Sequence, residues 1–195
     1  ANVETSMVDE LVFETGFEGS VIIGLYCYKV FRDRTSWQLI TINTDSITIR
    51  RNYFKGELNS CYMSGCSGIV IQLNGNLSNI LIEQNWLDCH HSMGPSGSHR
   101  GSVIHIDGVP SDCFIRNNFL KSTHYSIFET TSYATTGLTV SNNVICGDIY
   151  TYISLHINNI LLEGSFYNGT GGMTANNLCN ADQYPNHNNN QLFVD

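Results

Sequence analysis

The segments Ser102–Gly108 (SVIHIDG) and Tyr125–Thr131 (YSIFETT) alternate apolar and polar residues with the period of a half-buried strand. Aligned with Ile106 and Phe128 as inward residues, they place Asp107 and Glu129 in one outward column, with His105 in the neighbouring column and His156 beyond. Adjacent strands run about 4.8 Å apart. Two carboxylates that close cannot both ionise comfortably, so one keeps its proton while the other stays charged, the division that hydrolysis of a glycosidic bond requires. Asp107 and Glu129 are therefore the candidate acid and base or nucleophile, with His105 tuning or positioning them. Like charges stacked across strands are destabilising, and a chain poor in charge has little structural reason to put two there. The competing reading is that Asp107 opens the DGVPSD turn and Glu129 is solvated. YSIFETT contains no landmark, and a slip of one residue would turn Glu129 to the opposite face.

The longest insertions, GELNSCYMSGCSG after Phe54 and DCHHSMGPSGSHRG after Leu87, flank this strand, and long loops on a rigid scaffold are where binding sites collect. His90, His91, His99 and Arg100 are expected to line a groove with His105, Arg100 being suited to a carboxylate or sulfate. His156 and Tyr125 are further candidate substrate contacts. Trp37, Tyr133, Tyr150 and Tyr152 join Tyr125 as aromatic surfaces on which a sugar could stack, and packing against loops or a neighbouring subunit is an equally good account of each. Trp86, directly after Asn85, is expected to be structural. Cys89, His90, His91 and His99 have no CxxC or HExxH spacing, so solvated histidines are expected there and no metal or other cofactor is assigned.

The elements that must hold these residues repeat along the chain: DSITIRRNYFKG from Asp45, SNILIEQNWLDC from Ser78, SDCFIRNNFLKS from Ser111, TGLTVSNNVICG from Thr136 and, more loosely, NNILLEGSFYNG from Asn158. Ile47, Ile80, Cys113, Leu138 and Ile160 align as first core residues. Asn52, Asn85, Asn118, Asn143 and Ser165 follow five positions later. Intervals of 33, 33, 25 and 22 residues separate the units. Each unit begins with a period-two strand, and Asn then takes the bend, where it tolerates the left-handed conformation and its side chains can form a ladder. A second strand sends Phe54, Leu87, Leu120 or Ile145 inward. A third precedes the next unit: WQLITIN, GIVIQLN, SVIHIDG, YSIFETT and IYTYISLH, with Ile42, Leu73, Ile106, Phe128 and Leu155 inward. Asn43, Asn74, Asp107, Glu129 and His156 then share one outward column.

A unit of this size cannot bury its apolar side alone and must stack on its neighbours. The chain of 195 residues, 42% hydrophobic, is long enough for one domain with a substantial core. Its net charge of −8 argues against a nucleic-acid or anionic-membrane footprint. No apolar run reaches the length of a membrane span. ANVETSMVDE lacks the basic start and apolar centre of a signal peptide, and the missing initiator Met points to a mature product or an excised piece. Seven cysteines cannot form a complete disulfide set. Cys27 and Cys113 are expected as buried packing residues, while Cys61 and Cys66 share a loop and could bridge under oxidising conditions. The pattern suits folding in a reducing compartment.

The IxIxxNxF pattern with three short strands per rung, over roughly residues 20–165, resembles the right-handed parallel β-helix of the pectate-lyase-like superfamily. The expected fold is all-β, one domain over 1–195, with 166–195 a polar loop and final strand. Acidic balance, Asn/Ser/Thr-rich strands and scattered cysteines look most like a bacteriophage tailspike or tail-appendage segment. That resemblance implies a homotrimer joined to other virion proteins, in the virion or outside the cell, binding a bacterial surface polysaccharide and hydrolysing it as an endo-glycosidase. Two alternatives stay open: a carbohydrate-binding or structural β-helix without chemistry, and a secreted polysaccharide lyase. The calcium-assisted lyase pattern, which needs clustered carboxylates and a basic proton abstractor, is not matched.

Overall fold

The computed structural model describes residues 10–31, 36–58, 67–91, 100–130, 137–151, 155–168 and 173–179. They form nineteen strands, numbered in chain order, and two parallel sheets that build a β-solenoid. One sheet stacks β2 (Val21–Ile23), β5 (Thr48–Arg50), β8 (Leu81–Glu83), β11 (Cys113–Arg116), β13 (Leu138–Ser141), β15 (Leu155–Ile157) and β18 (Met173–Ala175).

The other sheet has two wings. The first contains β3 (Tyr26–Phe31), β6 (Tyr53–Leu58) and β9 (Trp86–His91). The second contains β1 (Leu11–Phe13), β4 (Ser36–Ile42), β7 (Ser67–Asn74) and β10 (Arg100–Asp107). Two long strands, β12 (Phe119–Glu129) and β14 (Val144–Thr151), join the wings, because the first half of β12 pairs with β9 and its second half with β10. Likewise β16 (Ile160–Glu163) adds to the first half of β14 and β17 (Phe166–Asn168) to its second half, and β19 (Leu178–Cys179) follows β16. The strands thus enclose a three-sided core, and they extend beyond 20–165 on both sides.

Every side contributes columns of identical depth. Ile22, Ile49, Ile82, Ile115 and Val140 fill one; Phe54, Leu87, Leu120, Ile145 and Leu161 a second; Ile40, Ile71, Ile104, Ile127, Ile149 and Phe166 a third; all are buried. Parallel in-register pairing puts like on like, so most of the β-branched side chains in the first and third columns meet a similar shape above and below. Cys89 and Cys113 are buried packing residues, and burial pushes both thiols up, Cys113 to about 11, which makes them poor nucleophiles. Cys27 is only half-buried against the core. Cys61 and Cys66 lie outside the described residues.

The corner asparagines do something different from the expected bend. The left-handed residues are the ones just before them: Arg51, Gln84, Asn117, Asn142, Asn158 and Asn176, with φ between 53 and 57°. The ladder residues instead tie rungs together. Asn85 Nδ2 donates to Ile49 O at 2.9 Å and to Asn118 Oδ1 at 3.0 Å, while its own Oδ1 accepts from Asn52 N and Nδ2, both at 3.0 Å. The pattern continues from Asn118 through Asn143 and Asn159 to Asn177.

The fifth unit is therefore not the Ile160/Ser165 segment. Ile160 pairs with Val144, and the fifth ladder residue is Asn159, sixteen residues after Asn143. His156 pairs with Val140 and occupies the core column, so it is interior rather than outward, and IYTYISLH is not one strand.

Candidate functional site

On the outer face of the second wing, His105 lies opposite Gln72 and Phe128, and its ring stands edge-on to Phe128 at 5.2 Å. Phe128 also packs against Tyr125 at 4.7 Å and Tyr150 at 5.5 Å, and His124 stacks on Tyr125 at 4.2 Å. From the sequence, Phe128 is expected inward. The register shifts inside β12 between Lys121 and Ile127 change the phase, so Phe128 faces out and Glu129 faces in. Glu129 is fully buried and pairs with Ile106, in the column begun by Phe13, Ile42 and Leu73. Asp107 is exposed, lies opposite Asn74 and accepts a hydrogen bond from Thr130 Oγ1 at 2.8 Å. Asp107 and Glu129 thus point to opposite sides of the sheet and do not form the expected pair.

The remaining predicted contacts disperse. His156 is in the core, with Nε2 hydrogen-bonded to Thr151 Oγ1 at 3.0 Å and its ring edge-on to Phe166 at 4.5 Å. Burial pushes its imidazole down to about 3, so it is neutral in ordinary buffers. His90 is exposed on β9 opposite Glu57, in the first wing. His91 closes β9 opposite Leu58, and Arg100 opens β10 opposite Ser67. The side chains of both lie outside the described residues, as do His99, Tyr133 and Tyr152. Trp37 is buried over Gly56 and Gly68 rather than offered to a ligand. Among the described residues no cluster of three or more His, Cys, Asp or Glu is placed to hold a metal ion.

The first wing carries an arrangement that the sequence pattern alone does not announce. Tyr26, Tyr53, Trp86 and Phe119 are paired in register, each immediately after a corner and each facing out. Tyr26 and Tyr53 are stacked at 4.7 Å and 8°; Tyr53 and Trp86 at 6.2 Å; Trp86 and Phe119 at 4.2 Å. Val144, Ile160 and Leu178 continue the stripe. Trp86 is 46% exposed and Tyr26 74%, so Trp86 is part of an open aromatic surface and not merely a corner support.

Two residues further along β3, β6, β9 and β12, a polar row runs beside the stripe: Tyr28, Lys55, Asp88 and Lys121 are register partners, followed by Glu57 opposite His90. Lys55 Nζ lies 2.6 Å from Glu57 Oε1, and Tyr28 OH donates to Glu57 Oε2 at 2.8 Å. The Lys55 and Tyr28 hydrogen bonds hold the Glu57 carboxyl below its usual range against some burial. Asp88 moves the other way. Half-burial raises its carboxyl despite Lys55, Lys121 and His90 nearby. The motifs NYFKG, NWLDC and NFLKS contain this row, with an aromatic residue at one position and a charged one two places on.

Fold and surface together define a parallel β-solenoid with an aromatic stripe along its axis. No protein-family model, curated protein or solved structure matches the chain.

Proposed function

We propose that this β-solenoid recognises a bacterial surface polysaccharide along its first wing, as part of a homotrimeric virion appendage of the tailspike kind. The observation that carries the reading is the outward-facing ladder Tyr26–Tyr53–Trp86–Phe119, in which Tyr26 and Trp86 are exposed and Tyr53 and Phe119 half-buried. Apolar surface that is continuous and open marks an interaction site. A pyranose ring presents an apolar face of C–H groups that suits an aromatic ring, and the polar row of Lys55, Asp88 and Lys121 beside the ladder offers partners for hydroxyls. The repeat of about 4.8 Å from rung to rung gives an extended chain a periodic track. The acidic net charge disfavours nucleic acid and anionic membrane as the occupant.

The chain has two tryptophans, one buried and one at the centre of the ladder, so fluorescence reports this surface directly. Titration with a panel of purified capsular and lipopolysaccharide O-chains should change Trp86 emission for one of them while Trp37 stays constant. Trp86→Ala and Tyr53→Ala should each weaken binding about tenfold. If no polysaccharide in a broad panel binds, the reading fails. If Trp86→Ala lowers the oligomeric state in light scattering instead, the stripe is a subunit contact.

A further inference from the structure

We infer that copies of this chain pack side by side with parallel axes, the acidic edge of the seven-stranded sheet in one copy against the arginine edge of that sheet in the next. The inference rests on the homotrimer of the proposed function and names the surface that builds it, independently of any polysaccharide.

The two long edges of this sheet differ in sign. The corner that leads into its strands from the second wing carries Glu14, Glu18, Asp45, Asp107 and Asp112, all exposed except the half-buried Asp45. Among the described residues, no lysine or arginine lies in that corner. At the opposite edge, where the strands run out toward the first wing, Arg50, Arg51 and Arg116 stand around the single carboxylate of Glu83. Glu83 balances one of three guanidinium groups, so this edge stays positive in a chain whose net charge is −8. Arg51 is exposed, with Nε donating to Gln84 Oε1 at 3.0 Å.

The match holds strand by strand. β5 is entered through Asp45 and left through Arg50 and Arg51, and β11 is entered through Asp112 and left through Arg116. Between them β8 ends on Glu83, and there the entering corner offers Ser78 and Asn79 in place of a carboxylate. In-register pairing keeps the two ends of each strand at one height along the solenoid. Two copies at equal height with parallel axes therefore meet acid to arginine at β5 and β11, and hydroxyl and amide to carboxylate at β8. A displacement of one rung in either direction would set Glu83 against Asp45 or Asp112, and like charges across an interface suppress that register.

Closed rotational symmetry holds every copy at one height. About a three-fold axis parallel to the solenoid, with the seven-stranded sheets facing inward, the leaving edge of each sheet meets the entering edge of the next. Val21, Ile23 and Phe114, exposed on this same outer face, then turn toward the axis and away from water. The ladder on the first wing stays outside.

The test uses the whole chain in multi-angle light scattering at about 0.1 M salt, where exposed charges still act over about 10 Å. Wild type should run at three times the chain mass. Asp112→Lys and Arg51→Glu should each raise the concentration at which the trimer dissociates at least about 100-fold, with circular dichroism unchanged because both side chains are exposed. As a second measurement, Arg116→Lys keeps the charge and supplies an amine, and carbodiimide should join Asp112 of one copy to that amine in the next, as mass spectrometry of mixed light and isotope-labelled chains would show. A trimer equally stable in both charge-reversed variants, or a cross-link map that lacks the Asp112 pair, overturns the proposal and leaves the homotrimer standing on another face. A monomeric wild type removes the homotrimer and this proposal together, while Trp86 fluorescence reads polysaccharide binding separately.

Discussion

His156 stacks on Val140 inside the solenoid, in the column that Ile22, Ile49, Ile82 and Ile115 begin. An imidazole there must stay neutral, and its value of about 3 lies below the 6.5 of an exposed histidine. The unfolded chain therefore binds a proton that the folded chain refuses at any pH between these values. Stability should be unaffected by this group above pH 6.5 and fall below it, at up to about 1.4 kcal/mol per pH unit, until pH 3. His156→Leu removes the term. The variant should gain about 2 kcal/mol on wild type between pH 7.5 and pH 5 in urea unfolding, and parallel pH curves for the two proteins would refute the assignment.

The ladder makes a sharper demand. Asn85 is buried and serves Asn52, Asn118 and the Ile49 carbonyl at once. Asn85→Ala leaves several of these groups without a partner, each costing about 1–3 kcal/mol. A loss of about 3 kcal/mol or more is expected in denaturant midpoints. Asn177, half-buried at the far end, should cost clearly less when truncated to Ala. Equal losses at the two positions would mean that the ladder does not act through burial.

These contrasts explain what could be read from the chain. Ile49, Ile82, Ile115 and Val140 revealed a stacked fold because identical depth demands similar side chains, and Asn52, Asn85, Asn118 and Asn143 marked the corners because only an amide can bond above and below. The next corner escaped. Its rung has shrunk to sixteen residues, and its core position is a histidine, so no apolar marker announced it. The expected Asp107–Glu129 pair failed for a related reason. β12 runs through a corner without a break, and its register shifts invert the alternation that a regular strand would keep, while the core position holds a carboxylate. Tyr53, Trp86 and Phe119 stood in plain register, but an aromatic residue after a corner has a structural explanation that does not depend on exposure, and exposure is what a sequence does not print.

Close packing at the junction between the wings gives a third prediction. The Trp37 indole lies over Gly56 and Gly68, and a Cβ at either glycine would overlap the ring. Gly56→Ala should therefore cost about 1–3 kcal/mol through overpacking. Trp37→Leu makes a cavity and should be destabilising alone, yet the double variant should lose less than the sum of the two. A double-mutant cycle read by thermal unfolding tests this, and additivity within about 0.5 kcal/mol would show that the ring is free to move aside.

On the outer face of the seven-stranded sheet, Glu83 is held between two arginines. Arg116 Nε and Nη2 both lie 3.0 Å from Glu83 Oε2, and Arg50 Nη1 approaches Oε1 at 3.9 Å. Three consecutive rungs are thereby linked by charge where their backbones already pair. The Arg116 contact is the closer and better aligned, and Glu83 is largely buried while both guanidinium groups reach solvent. Glu83→Gln should cost about 1–2 kcal/mol, more than an isolated surface pair, because it leaves two cations facing each other. Arg50→Gln should cost under about 0.5 kcal/mol. Raising the salt from 0.05 to 1 M shortens the screening length from over 10 Å to about 3 Å. The Glu83→Gln penalty should shrink accordingly in unfolding curves taken at the two salt concentrations, and a penalty independent of salt would assign the effect to hydrogen bonding instead of charge.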